Sequence, residues 1–222
     1  MGIAKMSLYG NDYIGAFSIS NEELTLVGGG PKGSGETIIR ENLGTRIVEA
    51  LINGSDLLGI YSAMNSRALL LPEMAYRTEA SSLKEQLPGI EVHILETDLN
   101  ALGNNILCND KTAIINPRYD SKEAKEIGDT LGVEIVKMSI GGFETVGANN
   151  LLTNKGMVMN NRVSEAEEDM LKDLFKNVSQ STANLGSLSI GLCAIANSKG
   201  LVAGASTTGY ELANMADGLA LE

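Results

Sequence analysis

Glycine recurs at Gly15, Gly59, Gly103, Gly147 and Gly191, at an interval of 44 residues every time. Because the chain holds 25 glycines, the column acquires meaning only from its neighbours. One residue earlier stand Ile14, Leu58, Leu102, Val146 and Ile190, and four residues later stand Ile19, Ala63, Leu107, Leu151 and Ile195. At 24 residues past the glycine come Ile39, Leu83, Ile127, Leu171 and Met215; at 28 past come Leu43, Leu87, Leu131, Phe175 and Leu219. Four wholly apolar columns in register make this an internal repeat, and a chain built on such a period stacks one supersecondary unit against the next.

The two distal columns are four residues apart, the spacing of one helix face. Ser164 to Glu167, Thr208 to Glu211 and Asp120 to Glu123 have the spacing of capping boxes at the starts of such helices. After each glycine a short apolar segment runs into Asn21, Asn65, Asn109, Asn154 or Asn197. Those turn residues, followed by apolar runs such as Ala68 to Leu71, predict a hairpin. Asn154 lies one residue later in its unit than the other four, which reads as a bulge. A β-like stretch opens most units, at Arg46 to Ile52, Ile90 to Leu95 and Val133 to Ser139; Ile3 to Tyr9 and Asn177 to Thr182 occupy the same phase. The expected fold class is α/β: five units, 1–44, 45–88, 89–132, 133–176 and 177–222, each of three strands and a helix. Neither end has a polar capping repeat, so the units are expected to close into one ring-shaped domain, 1–222, about a pseudo-fivefold axis. A propeller of four-stranded blades has no place for the five helical columns.

Charge and composition narrow the function. A net charge of −11, from 17 basic and 28 acidic residues, repels phosphate backbones and anionic lipid, so free nucleic acid and membranes are not expected partners. Cys108, Cys193 and His93 are too few for a zinc site or a disulfide framework, and no metal or cofactor is expected. There is no apolar run of about 18 residues and no signal-peptide core after Met1, so the expected location is the cytoplasm.

The segments ALGNNILCNDKTAIINPRY, ETVGANNLLTNKG, GLCAIANSKGLVAG and STTGYEL, in this order and spacing, resemble the archaeal branch of the translation initiation factor 6 family, the ribosome anti-association factors. The resemblance runs through the whole chain and implies the pentein fold, a ring like the one expected from the repeat. It implies a non-enzymatic monomer that binds the large ribosomal subunit, chiefly a basic protein of the L14 type near the sarcin-ricin loop, and keeps the small subunit away. It places contacts around Ala16, Ile60, Asn104 and Ala148, with the Asn65 and Asp110 turns nearby. Met157-Val158-Met159-Asn160 stands where relatives often have His-Pro, and Ile60 stands where some eukaryotic relatives carry Arg. Regulation through an extended C-terminal tail is not expected.

Cys193 is the natural candidate for catalysis, because pentein enzymes hydrolyse or transfer guanidine groups with a cysteine of the fifth repeat. A thiol needs a histidine or a cation to ionise it. Cys193 lies between Leu192 and Ala194 in what reads as an apolar strand, and His93 belongs to another unit. Both are expected to be structural, and Cys108 likewise. The loop Gly28 to Gly35 has Lys-Gly-Ser where a phosphate-binding loop requires Gly-Lys-Ser/Thr, and is read as a connection. Glu165, Glu167, Glu168 and Asp169 suit the first turns of a helix. Ala16, Ile60, Asn104, Ala148 and Leu192, each just after its glycine, mix small, apolar and amide groups as a recognition surface near the axis would.

Overall fold

The computed structural model describes residues 2–29 and 33–221. It opens with β1 (Gly2–Met6), after which one order of elements is run through five times. The first pass is α1 (Ile14–Phe17), β2 (Ser18–Ser20), β3 (Leu24–Gly28), α2 (Ser34–Leu43) and β4 (Arg46–Ala50). The second is α3 (Leu58–Tyr61), β5 (Ala63–Met64), β6 (Ala68–Pro72), α4 (Arg77–Gln86) and β7 (Glu91–Leu95). The third is α5 (Leu102–Asn105), β8 (Ile106–Cys108), β9 (Thr112–Ile115), α6 (Ser121–Leu131) and β10 (Glu134–Lys137). The fourth is α7 (Val146–Asn149), β11 (Leu151–Leu152), β12 (Met157–Asn160), α8 (Glu165–Leu174) and β13 (Val178–Ser181). The fifth, α9 (Ile190–Cys193), β14 (Ala194–Asn197), β15 (Gly200–Gly204) and α10 (Gly209–Gly218), has no outer strand of its own. β1 supplies it, pairing in parallel with β15 from Gly2 against Gly200 to Met6 against Gly204.

Each pass yields a three-stranded sheet with a short inner strand antiparallel to the middle one and an outer strand parallel to it. The five-unit α/β ring expected from the repeat is therefore present, in the pentein arrangement. Its sheets cross the sequence borders: β4 opens the unit at residue 45 but completes the sheet of β2 and β3. The helix columns face the core as the four-residue spacing requires, from Ile39 and Leu43, both 0% exposed, to Phe175 at 6%. Core clusters also cross borders; one joins Met6, Val27 and Leu43 to Ile195 and Val202 of the fifth pass.

Two local readings are corrected. The glycine segments are single helical turns rather than strands, so Cys193 ends α9 instead of lying in a strand. One turn of four residues is too short to show a helical period in sequence. The fourth hairpin has no bulge: Thr153 holds the place of Asn21, Asn65, Asn109 and Asn197. Its Oγ1 accepts from the N–H groups of Lys155 and Gly156, as Asn21 Oδ1 accepts from Glu23 and Leu24. A hydroxyl makes the same turn that the amide makes, more weakly. The connection at Gly28 to Gly35 passes through residues 30–32, outside the described residues.

Candidate functional site at the two ends of the ring axis

The short helices gather on the axis, and their glycines explain how. A methyl group on Gly15 would stand 2.1 Å from the carbonyl oxygen of Gly191. On Gly59, Gly103, Gly147 and Gly191 it would stand 1.8, 2.0, 2.0 and 1.9 Å from the carbonyl oxygen of the preceding glycine in the column. Backbone packs on backbone in a closed cycle that no side chain could enter.

From this helical end the inner strands run to the hairpin turns at the opposite end. There the asparagines link one unit to the next: Asn21 Nδ2 donates to the Asn65 carbonyl (3.0 Å), Asn65 to Asn109 (3.2 Å), Asn109 to Thr153 (3.0 Å) and Asn197 to Asn21 (3.1 Å). The next residues form a second polar layer. Asp110 accepts from the Ser66 N–H and hydroxyl at 2.8 and 2.9 Å. Asn154 Nδ2 reaches both Asp110 (2.6 Å) and Glu22 (3.2 Å), and Glu22 also accepts from Ser198.

The six residues singled out in the sequence thus fall into two groups. Ala16 and Ala148 are buried, and Ile60 and Asn104 half-buried, at the helical end. The Oδ1 atom of Asn104 is buried without a hydrogen-bond partner, so this side chain is less exposed than its recognition reading assumed. Asn65, 3% exposed, and half-buried Asp110 lie at the turn end. Ile106 to Asn109 separates the groups, about 13 Å of extended chain at roughly 3.3 Å per residue.

Each end has a charged column of its own. Three residues before the glycine stand Asp12, Asp56 and Glu144 in three of the units, at the helical end; eight residues after it stand Arg67, Lys111, Lys155 and Lys199 in four, at the turn end. Both columns are legible in the sequence as repeats of charge at a fixed offset from the glycine. Asp12 is held below the usual carboxylate range by hydroxyl hydrogen bonds from Ser206 and Ser7. Exposed Tyr9, Tyr13, Tyr76, Leu185 and Tyr210 also belong to the helical end, because the outer strands and the starts of the long helices converge there. Tight turns follow the outer strands, and carboxylates from the long helices hold them. Glu79 accepts from the N–H groups of Asn53 and Gly54, Glu167 from Gly141, and Glu211 from Leu185 and Gly186. The capping boxes announced the helix starts at Glu167 and Glu211, but not the one at Glu79, nor this second use of the three glutamates.

Cys193 is fully buried, and burial pushes its thiol up to about 11, outweighing the hydrogen bonds with the Ser187 and Asn184 side chains, while the Glu211 and Asp12 carboxylates add a smaller push upward. That field opposes thiolate formation. Cys108, facing the axial channel, is pushed up to about 12, chiefly by burial and then by Asp110. His93 Nε2 lies 2.8 Å from Glu126 Oε1, linking an outer strand to the next long helix. Among the described residues no group of three His, Cys, Asp or Glu side chains could hold a metal ion, and no helix is long and apolar enough to cross a membrane.

Among solved structures, the chain is similar to the N-terminal domain of ArgZ covalently bound to a reaction intermediate. The TM-score is 0.47 at 14% identity, covering 76% of this chain and 67% of that one. Among curated proteins it is 37% identical to translation initiation factor 6 of Pyrococcus abyssi over 100% of both chains. It is 36% identical to that of Methanosarcina mazei over 98% of both, and 39% identical to that of Methanocaldococcus jannaschii over 94% of this chain and 93% of the other. The model of the eIF-6 family matches residues 3–218. With relatives named translation initiation factor 6 over its whole length and a family match over nearly all of it, the chain belongs to the eIF-6 family.

Proposed function

We propose that this translation initiation factor binds the large ribosomal subunit with the helical end of its ring and, by occupying that surface, keeps the small subunit from joining. The observation that carries the reading is the makeup of this end: exposed tyrosines, a small axial patch, and the carboxylates Asp12, Asp56 and Glu144. Tyrosine-rich surfaces suit protein interfaces, and carboxylates beside them favour a basic partner. A basic large-subunit protein of the L14 type, near the sarcin-ricin loop, fits that chemistry better than RNA alone. In this reading Ala16, Ile60, Asn104 and Ala148 form the contact patch, while Asn65 and Asp110 support it from the far end by tying units together. The protein acts in the cytoplasm as a monomer without catalysis; the buried, acid-flanked Cys193 thiol supports that over guanidine hydrolysis.

Co-sedimentation with purified large and small subunits tests the proposal. The protein is expected in the large-subunit fraction only, and added protein is expected to reduce joined ribosomes. Equal pelleting with both subunits, or unimpaired joining at saturation, overturns it. Cys193→Ala is expected to leave both readouts unchanged.

A further inference from the structure

Asn53-Gly54 is the one Asn-Gly pair in the sequence. Glycine is the successor that least hinders attack by its own nitrogen on an asparagine amide, because it has no Cβ in the way. The pair forms the centre of a two-residue turn: Ile52 and Ser55 exchange two backbone hydrogen bonds of 3.0 Å, and φ is +53° at Asn53 and +71° at Gly54. Both angles are left-handed, as a type I′ hairpin turn requires. Gly54 is exposed and Asn53 half-buried, so water has access. Glu79, in the first turn of α4, spans the turn with both oxygens. It accepts from the Asn53 N–H at 2.7 Å and the Gly54 N–H at 2.8 Å, and its Oε2 also accepts from Tyr76 at 2.9 Å.

We infer that Asn53 is a deamidation site that Glu79 holds shut. In the reaction the Gly54 nitrogen gives its proton to a solvent base and its electron pair attacks Asn53 Cγ. A new C–N bond forms, the Cγ–Nδ2 bond breaks, and the side-chain nitrogen leaves as ammonia with a proton from water. Water then opens the succinimide at either carbonyl, leaving aspartate or isoaspartate in place of Asn53. Glu79 opposes the first step twice. Its oxygen accepts the very hydrogen that has to leave, and its negative charge beside that nitrogen disfavours the amide anion. Its grip on both N–H groups also fixes the turn against the backbone rotation that brings nitrogen to Cγ.

The equivalent turns set the second unit apart. Glu167 accepts from the Gly141 N–H and Glu211 from the Leu185 and Gly186 N–H groups, but neither turn has an asparagine followed by glycine. Once deamidated, the turn that Glu79 spans would carry a new carboxylate, and the isoaspartate form would lengthen its backbone. A second negative charge in the turn that Glu79 spans weakens that clamp by repulsion. The inference stands whatever the ring binds.

The test is ageing at mildly alkaline pH, followed by digestion and mass spectrometry of the peptide that contains Asn53. The intact protein is expected to deamidate there roughly tenfold or more slowly than a free peptide of the same sequence, and Glu79→Gln is expected to recover roughly that factor. This is the factor that losing one charge-assisted hydrogen bond carries. A parent as fast as the peptide, or a folded Glu79→Gln variant as slow as the parent, overturns the inference. Should that variant unfold, hydrogen exchange on the parent decides instead. The Gly54 amide is expected to be protected despite its exposure, and rapid exchange there overturns the clamp.

Discussion

Gly103 and Gly209 differ in what a methyl group would meet: at Gly103 it lands 2.0 Å from a backbone oxygen, whereas at Gly209 nothing lies within 4 Å. Gly103→Ala is therefore expected to cost about 3 kcal/mol or more, since a carbonyl in a closed cycle cannot step aside. Gly209→Ala, at the start of α10, is expected to gain up to about 1 kcal/mol from helix propensity. Urea denaturation of both variants checks the pair; equal effects would contradict the axial packing. Asn104 is a second case, because its Oδ1 is buried and unpaired. Asn104→Ala, which copies Ala16 and Ala148, is expected to leave stability unchanged or raise it by about 1 kcal/mol, as removing an orphaned acceptor does. If the amide is a subunit contact, the same variant pellets less with large subunits. A variant both destabilised and fully bound would reverse both assignments.

The long helices do two jobs through one residue each. Glu211 caps its own helix through Thr208 and holds the Leu185-Gly186 turn of the neighbouring segment. Burial alone would raise its pKa, but hydrogen bonds from Thr208, Thr182 and Gly186 outweigh it and bring the carboxyl below its ordinary 4.5. Glu167 is lowered in the same way against its burial. With the folded value depressed, the unfolded chain binds more protons, so this stabilisation is full above about pH 4.5 and fades as pH falls through the lower folded value. Glu211→Gln is expected to cost about 2 kcal/mol at neutral pH and progressively less in acid. Denaturation midpoints of parent and variant across that range test it, and a gap that ignores pH would refute the assignment. Elements also show why legibility was uneven. The helix faces were plain because Ile39 and Leu43 repeat their four-residue spacing five times. The turn at Gly15 was hidden, since four residues carry no period. Thr153 was missed because turn chemistry is shared between amide and hydroxyl, and the more familiar residue stood next door. At the site, the axial column was legible, but its division into two ends was not, because distance along an inner strand is invisible until the strand is distinguished from the helical turn before it.

Across the molecule, every sheet borrows its outer strand from the next unit, and the last borrows β1 from the opposite end of the chain. Removing any unit would leave its neighbours with an open sheet edge and an uncovered core. We therefore propose that the chain is a single cooperative domain rather than five that melt separately. Residues 2–6 give the sharpest test, because they contribute five paired positions to the fifth sheet and Met6 to a core cluster that joins the first and fifth units. Deleting them exposes one edge of β15 and uncovers part of that cluster, while the other four sheets keep all their strands. If the ring is one unit, the deletion lowers the melting temperature of the whole chain, and circular dichroism and tyrosine fluorescence still report one coincident transition. A synthetic peptide of residues 1–8 added in trans is then expected to raise that temperature with increasing concentration, as any ligand that binds only the folded state does. Two separated transitions, with four sheets melting at the parental temperature, would show that the units are independent. A peptide without effect would show that the closure between β1 and β15 is not what holds the ring.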